Sequence, residues 1–519
     1  MRTKTAERVP LQWRHAAPVV DGQSVAVADS IPVANPADAA HPVGSTALAD
    51  VDVLDRAVGA ASAAFAAWRD LGAVARGTLI REGADALEAH IDDIAATIAA
   101  EVGKPLADAR GDIGGSIAML RSFVALVTEL EQNEDRSGLP GTGQASFVRI
   151  RHVPVGPVGV IGPWNTPVFL AFNGIAPALA SGCTVVVKPP AEAPLGLTAT
   201  LRILAAHLPP GVLNVVPGRG SVIGSALAAH PGIRAVMFTG GTHAGRSVAV
   251  AGASNVKKVA LELGGNDAAI VLADARIDDD LVTEMAAGCF SVSGQVCFNI
   301  KRIYVHRSRH DEFIEKFSAA VSRIVVGDPF DPTVHTGPLT TRDGYENALR
   351  LLEAARAAGA EVVPLGIRAA SADWDSGTYI APTLVTGLPH DHELVLDEQF
   401  APIIPVVPFD TDGEAIYEAN RTEFGLSSSV WSADVTHAED VARRIEAGNT
   451  YINVHRLGAS VPLAPFGGVK QSGSGRTHGL HSLHHCTEEH AIIAFDDPST
   501  KLPGIAGWQS IVGNEEERA

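Results

Sequence analysis

The stretch 237-MFTGGTHAGR-246 decides how this chain is read. A short apolar run goes straight into Gly240 and Gly241, and Gly245 completes a G-x-x-x-x-G spacing. The pattern is that of a strand buried on both faces, a tight turn, and the start of a helix. A helix beginning after Gly241 leaves its first N–H groups unpaired, which suits a pyrophosphate. A plain strand-to-helix turn uses the same glycines, so both readings stand on spacing alone. The usual dinucleotide fingerprint GxGxxG is absent, because 218-GRGSVIG-224 and 473-GSGRTHG-479 miss its spacing.

The same punctuation recurs outward from this turn. The runs 158-VGVIG-162, 184-TVVVK-188 and 212-VLNVVPG-218 are short, apolar and closed by Gly or Lys, with helical patterns between them. Repeated strand–helix units of this length predict a doubly wound α/β domain. Upstream, Asp50 caps a predicted helix through 54–68, and a second helical stretch, 78–105, stops at Gly103 and Pro105. Residues 1–17 read as a loosely attached arm. Segment 136–156 alternates polar and apolar residues after a Gly/Pro opening, as an extended strand with one wet face does. Downstream, 268-AAIVL-272, helices over 310–325 and 343–359, and strands over 403–409 and 487–495 predict a second α/β region.

Length and charge narrow the class. A chain of 519 residues exceeds one ordinary hydrophobic core, so two or three domains are expected. A formal charge of −19 opposes binding to nucleic acid or to acidic membranes. No run of 18 apolar residues predicts a transmembrane helix, and the N-terminus lacks the apolar core of a secretory signal. Four scattered cysteines without CxxC spacing indicate neither a zinc ribbon nor a disulfide scaffold, and fit a reducing cytoplasm.

Three stretches carry chemistry. In 291-SVSGQVCFNIKR-302, Cys297 is either a nucleophile or one more small buried residue. In 261-LELGGND-267, Glu262 sits in an apolar run, where desolvation would raise its pKa toward that of a base working near neutrality. A strand-end Glu pointing into water has the same sequence. In 162-GPWNTP-167, Asn165 in a Pro-bounded turn offers a side-chain amide as an oxyanion donor, or is simply turn chemistry.

Seven motifs in order, GPWNTP, KPPAEAP, FTGGTHAG, LELGGND, GQVC, DEQFAP and PFGGVKQSGSGR, resemble the NAD(P)-dependent aldehyde dehydrogenase superfamily over roughly positions 20 to 496. The resemblance implies an α/β aldehyde-dehydrogenase-like fold. In it a Rossmann-type cofactor domain (18–135 and 155–263) precedes an α/β catalytic domain (264–475). A β-strand oligomerisation arm (136–154 and 476–497) and a tail (498–519) complete the chain. It implies that Cys297 attacks the aldehyde, that Asn165 and the Cys297 N–H hold the oxyanion, and that Glu262 activates the hydrolytic water. On the cofactor side it implies Lys188 at the adenosine ribose and Gly240, Gly241 and Gly245 around the pyrophosphate. Glu398 would hold the nicotinamide ribose with Phe400 beside that ring, and Trp164 and Gly264 fall in matching motifs. The partners implied are a small-molecule aldehyde and further copies of the chain, as a homodimer or homotetramer, in the cytoplasm, with no nucleic acid and no membrane.

Several positions depart from the family pattern. Where the loop after the lysine often carries Glu, this chain has Ala191, with Glu192 one place later. NAD is the expected cofactor and NADP the alternative, since a displaced carboxylate repels a 2′-phosphate less. Phe169, Phe290 and Phe298 flank the motifs as an apolar substrate pocket or as core, and His455 stands at the expected funnel wall or on an exposed loop. The cluster 478-HGLHSLHHCTEEH-490 has metal-ligand residue types without metal-ligand spacing, so no metal is expected. The alternatives to an acid-forming enzyme are a CoA-acylating semialdehyde dehydrogenase, against which Glu262 argues, and a catalytically silent binding protein on the same fold.

Overall fold

The computed structural model describes residues 5–130, 134–139, 145–459 and 461–495. Its first sheet has eight strands, in the spatial order Gly473–Ser474, Lys258–Glu262, Ala235–Thr239, Val158–Ile161, Val185–Lys188, Leu213–Val215, Val19–Val20 and Gln23–Ser24. The five central strands run parallel. The residues of Val158–Ile161, Val185–Lys188 and Leu213–Val215 are all buried, as strands covered by helices on both faces must be. From Val158–Ile161 the chain builds outward on one side through 185–188 and 213–215, then on the other through 235–239 and 258–262. The order reverses between Val158–Ile161 and Ala235–Thr239, so the loops leaving their C-terminal ends diverge and open a crevice.

The second sheet has seven strands, in the order Glu361–Pro364, Thr383–Thr386, Ile403–Phe409, Ile300–His306, Asp267–Val271, Ser427–Trp431 and Asn449–Ile452. Only Glu361–Pro364 runs antiparallel to its neighbour. A separate three-stranded sheet sets Phe147–Pro154 between Thr487–Ala494 and Glu134–Asp135. This matches the fold expected from the motifs.

The sequence reading fails locally in three places. Residues 5–17 are not a loose arm: Val9 is buried, and His15–Ala16 pairs in parallel with Gly44–Ala47. The helix expected over 78–105 is two helices, Ala73–Ala89 and Ile91–Val102, divided at His90; the stop at Gly103 is as expected, with a left-handed φ of 87°. The His-rich stretch, expected on no helix, carries the helix Gly479–His485, which buries Leu483 in the core of the first sheet. Helix Leu106–Leu130 has a window, Leu106–Glu129, of mean hydropathy 1.2 that is long and apolar enough to cross a membrane. Its composition answers to protein packing instead, because Ala109, Ile113, Ile117 and Leu120 are buried in that same core. The expected tail 498–519 and the last two residues of the arm, 496–497, lie outside the described residues.

Candidate active site

The crevice of the first sheet collects four of the predicted motifs at strand C-termini. Ile161 pairs with Lys188, and Thr239 pairs with Glu262, so the turns that follow stand side by side. The Gly240 N–H donates to the Glu262 carbonyl at 3.0 Å, joining the glycine turn to the strand that presents the carboxylate. Helix Thr242–Ala253 starts at Gly241 with no side-chain cap, and a Cβ on exposed Gly241 would meet nothing within 4 Å. Free N–H groups facing open space are what a phosphate needs. Gly245 acts differently from the expectation of ligand contact. A side chain there would collide with Leu263, so this glycine lets the helix sit close on the sheet.

Cys297 is carried on a loop whose backbone is held from several directions. Val292, Ser293 and Gly294 take consecutive left-handed conformations, with φ of 53°, 59° and 75°. Such a run costs of order 1–3 kcal/mol at each non-glycine residue and persists only where the surroundings enforce it. Here Ser293 Oγ donates to the Gly337 carbonyl at 2.7 Å, and Gln295 Oε1 accepts from the Thr340 N–H at 3.0 Å. Lys301, buried in the same motif, donates to the carbonyls of Val296 at 2.6 Å and Cys297 at 3.0 Å. Of the four free cysteines, Cys183, Cys289 and Cys486 are buried, and Cys297 alone is partly exposed.

Asn165 links the two regions. Its Nδ2 donates to the Gln295 carbonyl at 2.8 Å, two residues from Cys297, and its second amide hydrogen remains for another acceptor. The turn is clamped from below by a pair of fully buried side chains, Lys104 and Asp112, at 2.6 Å. Lys104 Nζ donates to the Asn165 carbonyl at 3.2 Å, and Asp112 accepts from the Phe169 N–H at 2.6 Å. A buried ion pair tolerates desolvation only when its remaining polar sites are satisfied, and these backbone groups do that.

Glu398 and Phe400 close the crevice from the second sheet. Glu398 accepts from the Gly265 N–H at 3.2 Å and lies 3.8 Å from Lys301 Nζ. A Cβ on Gly264 would overlap the Glu398 carboxylate, which is why the LELGGN turn has glycine there. The Phe400 ring meets the Trp164 ring edge-on at 5.5 Å.

Burial dominates the electrostatics. Glu262 is buried, which pushes its carboxyl up to about 8 against the opposing pull of Arg476. Burial likewise lifts Glu398 to about 7, with Lys301 opposing. The Cys297 thiol is pushed up to about 12, first by burial and then by the Glu262 carboxylate, so those two groups sense each other directly. Lys188, buried with its Nζ on the Pro189 carbonyl at 2.8 Å, is held down to about 8 by burial, with Glu192 opposing. Beside Glu262, a void of about 10 Å³, also lined by Asn173 and Thr477, is the size of one water.

The expected pocket residues divide. Phe298 stays half-buried next to Cys297, its ring edge-on to Phe466 at 5.6 Å. Phe169 is half-buried with its ring against the Gly115 backbone. Phe290 is not available to a substrate: it is 3% exposed and stacks on Phe317 within the core of the second sheet. His455 is neither on the funnel wall nor on an exposed loop. It is fully buried between Ser429 Oγ at 3.0 Å and the Phe298 carbonyl at 2.8 Å, holding the backbone beside Cys297. Tyr451 was not anticipated; it stacks on His455 at 5.3 Å and lies close enough to Cys297 to feel its charge. Lys301, Lys104 and Asp112 were also missed. Lys301 had a signal, being with Arg302 one of two adjacent cations at the start of an otherwise apolar strand, whereas the Lys104–Asp112 pair shows itself only once helices 91–102 and 106–130 are packed.

The aldehyde dehydrogenase family model matches residues 23–492. Among solved structures, the chain is similar to PnpE from Pseudomonas sp. WBC-3, with 34% identity over 94% of this chain and 99% of that one, at a TM-score of 0.88. An NADP dependent enzyme of E. coli is 31% identical over 94% of this chain and 99% of its own, also at 0.88. Betaine aldehyde dehydrogenase from Staphylococcus aureus in complex with NAD+ is 30% identical over 94% and 96%, at 0.86.

Proposed function

Because this chain belongs to the aldehyde dehydrogenase family, we propose that it oxidises an aldehyde to the carboxylic acid through a covalent intermediate on Cys297. The observation that carries this reading is the convergence of Cys297, Glu262 and Asn165 on one crevice, with Asn165 bonded to the loop of the nucleophile.

Cys297 Sγ adds to the aldehyde carbon. With the thiol pushed up to about 12 by burial and by the Glu262 carboxylate, full ionisation beforehand is uphill, so the thiol proton passes to solvent water as the C–S bond forms. The oxygen that becomes negative is held by the free amide hydrogen of Asn165 and by the Cys297 N–H, which has no backbone acceptor among the described residues. NAD(P)+, when bound, would supply the hydride acceptor needed for the Cys297 adduct to become a thioester. Glu262 then takes a proton from water as that water attacks the thioester, releasing acid and free thiol. The retained base favours hydrolysis over transfer to CoA.

The residues present fit a dinucleotide. The uncapped helix start at Gly241 would hold the pyrophosphate, Lys188 ends the neighbouring strand, and the Glu398 carboxylate would be available to a ribose hydroxyl. Glu192, exposed near Lys188, favours NAD over its 2′-phosphate. Similarity to an NAD+-complexed betaine aldehyde dehydrogenase supports that choice, and similarity to an NADP dependent enzyme keeps the second cofactor in the assay. Initial rates over aliphatic, aromatic and semialdehyde panels are expected to show NADH formation and slower NADPH formation. No reduction of either cofactor by any aldehyde would favour a silent protein on this fold.

Strand Thr487–Ala494 leaves Ile492 and Ile493 exposed at a sheet edge, 37% and 57%, where a second copy of the chain would cover them. We infer a homodimer or a homotetramer in a reducing, cytoplasmic setting that keeps all four cysteines free. Light scattering should give a mass of at least twice 53.9 kDa, and a stable monomer would contradict it.

A further inference from the structure

The arm and the short helix before it bring together three side chains that aldehyde oxidation does not use. His152 and Glu489 are direct cross-strand partners in the pairing of Phe147–Pro154 with Thr487–Ala494, so both rise from the same face of the sheet. His484 lies in the last turn of helix Gly479–His485, and its ring stands 4.9 Å from that of His152 at an interplanar angle of 62°. One ligand atom from each of the three residues lies within 4.8 Å of the other two. The Nδ1 of His152 is buried and has no hydrogen-bond partner, a condition that native proteins rarely leave unanswered.

We propose that His152, His484 and Glu489 form a binding site for one divalent transition-metal ion of the zinc class, which pins the base of the arm to helix Gly479–His485. Two imidazoles and one carboxylate are a borderline donor set that zinc takes readily and that the harder magnesium and calcium ions do not. Metal–ligand bonds of about 2.0–2.2 Å place ligand atoms about 3.3 Å apart, so the cluster must contract by up to about 1.5 Å. His484 and Glu489 are exposed and free to rotate by that much, and water completes the fourth position. Lys258, a cation that faces His484, is engaged with Glu488 at 3.1 Å and with the backbone carbonyls of His484 and Thr487, which leaves the Glu489 carboxylate to the ion. Spacing within 478–490 could not show this site, because one ligand comes from residue 152 and meets the others only through strand register.

The test is calorimetric titration of zinc chloride into the untagged full-length chain, run in parallel on Cys297→Ser so that thiolate binding is counted separately. Both proteins are expected to take up one equivalent that His152→Ala loses. Glu489→Gln, a change at an exposed position that leaves folding intact, is expected to weaken it at least tenfold. Zinc should also raise the thermal midpoint of the Cys297→Ser protein and leave that of His152→Ala where it was. Equal uptake by Cys297→Ser, His152→Ala and Glu489→Gln would overturn the assignment, as would no uptake by Cys297→Ser.

Discussion

Cys297→Ala is expected to abolish aldehyde-dependent NADH formation, with kcat lower by about ten-thousandfold or more, while the fold is retained. The size of the loss follows from the chemistry. An aldehyde has no good hydride-donating form until a nucleophile adds to its carbon, and no other side chain at the crevice can replace sulfur. Retention of the fold follows from the structure. Cys297 is partly exposed, and the loop around it is held by Ser293, Gln295 and Lys301 rather than by the thiol. Thermal denaturation should therefore move little. Cys183→Ala is the matched control, since that residue is buried in the core of the first sheet and faces no part of the crevice. Turnover surviving in Cys297→Ala would remove the covalent mechanism.

Glu262→Gln is expected to stop the reaction after its first half. A rapid burst of NADH, up to one per active site, should be followed by steady turnover about a hundredfold to ten-thousandfold slower, the usual range for loss of a general base. The pH dependence has a definite sign. Burial raises the Glu262 carboxyl to about 8, so the carboxylate that works as the base is the minor form at neutrality and gains population as pH rises. Steady-state rates limited by hydrolysis should climb through about pH 8 and level off above it. In Glu262→Gln that rising limb should be lost.

The sequence carried the parts of this site that are short in range. A strand that ends at Thr239 and a helix that starts after Gly241 follow from local apolar and glycine pattern, and Asp50 caps its helix as its type requires. The order of motifs pointed to Cys297, Glu262 and Asn165 as candidates because each sits in its own local signature. Contacts made between segments distant in sequence were illegible. His455 had the composition of a loop residue, but the pairing of Ser427–Trp431 with Asn449–Ile452 draws its segment inward beside Ser429. Phe290 had the composition of a pocket residue, yet helix Asp279–Phe290 turns it into the core against Phe317. The His-rich stretch offered donors without geometry until strand register set His152 opposite Glu489.

The division of labour between Cys297 and Glu262 is the central claim, and trapping the intermediate tests it most directly. Glu262→Gln, mixed with aldehyde and NAD and quenched in acid within the burst, should show by mass spectrometry an acyl group on the peptide containing Cys297, at close to one per chain. Unmodified Cys297 in a protein that has already formed one equivalent of NADH would contradict the account.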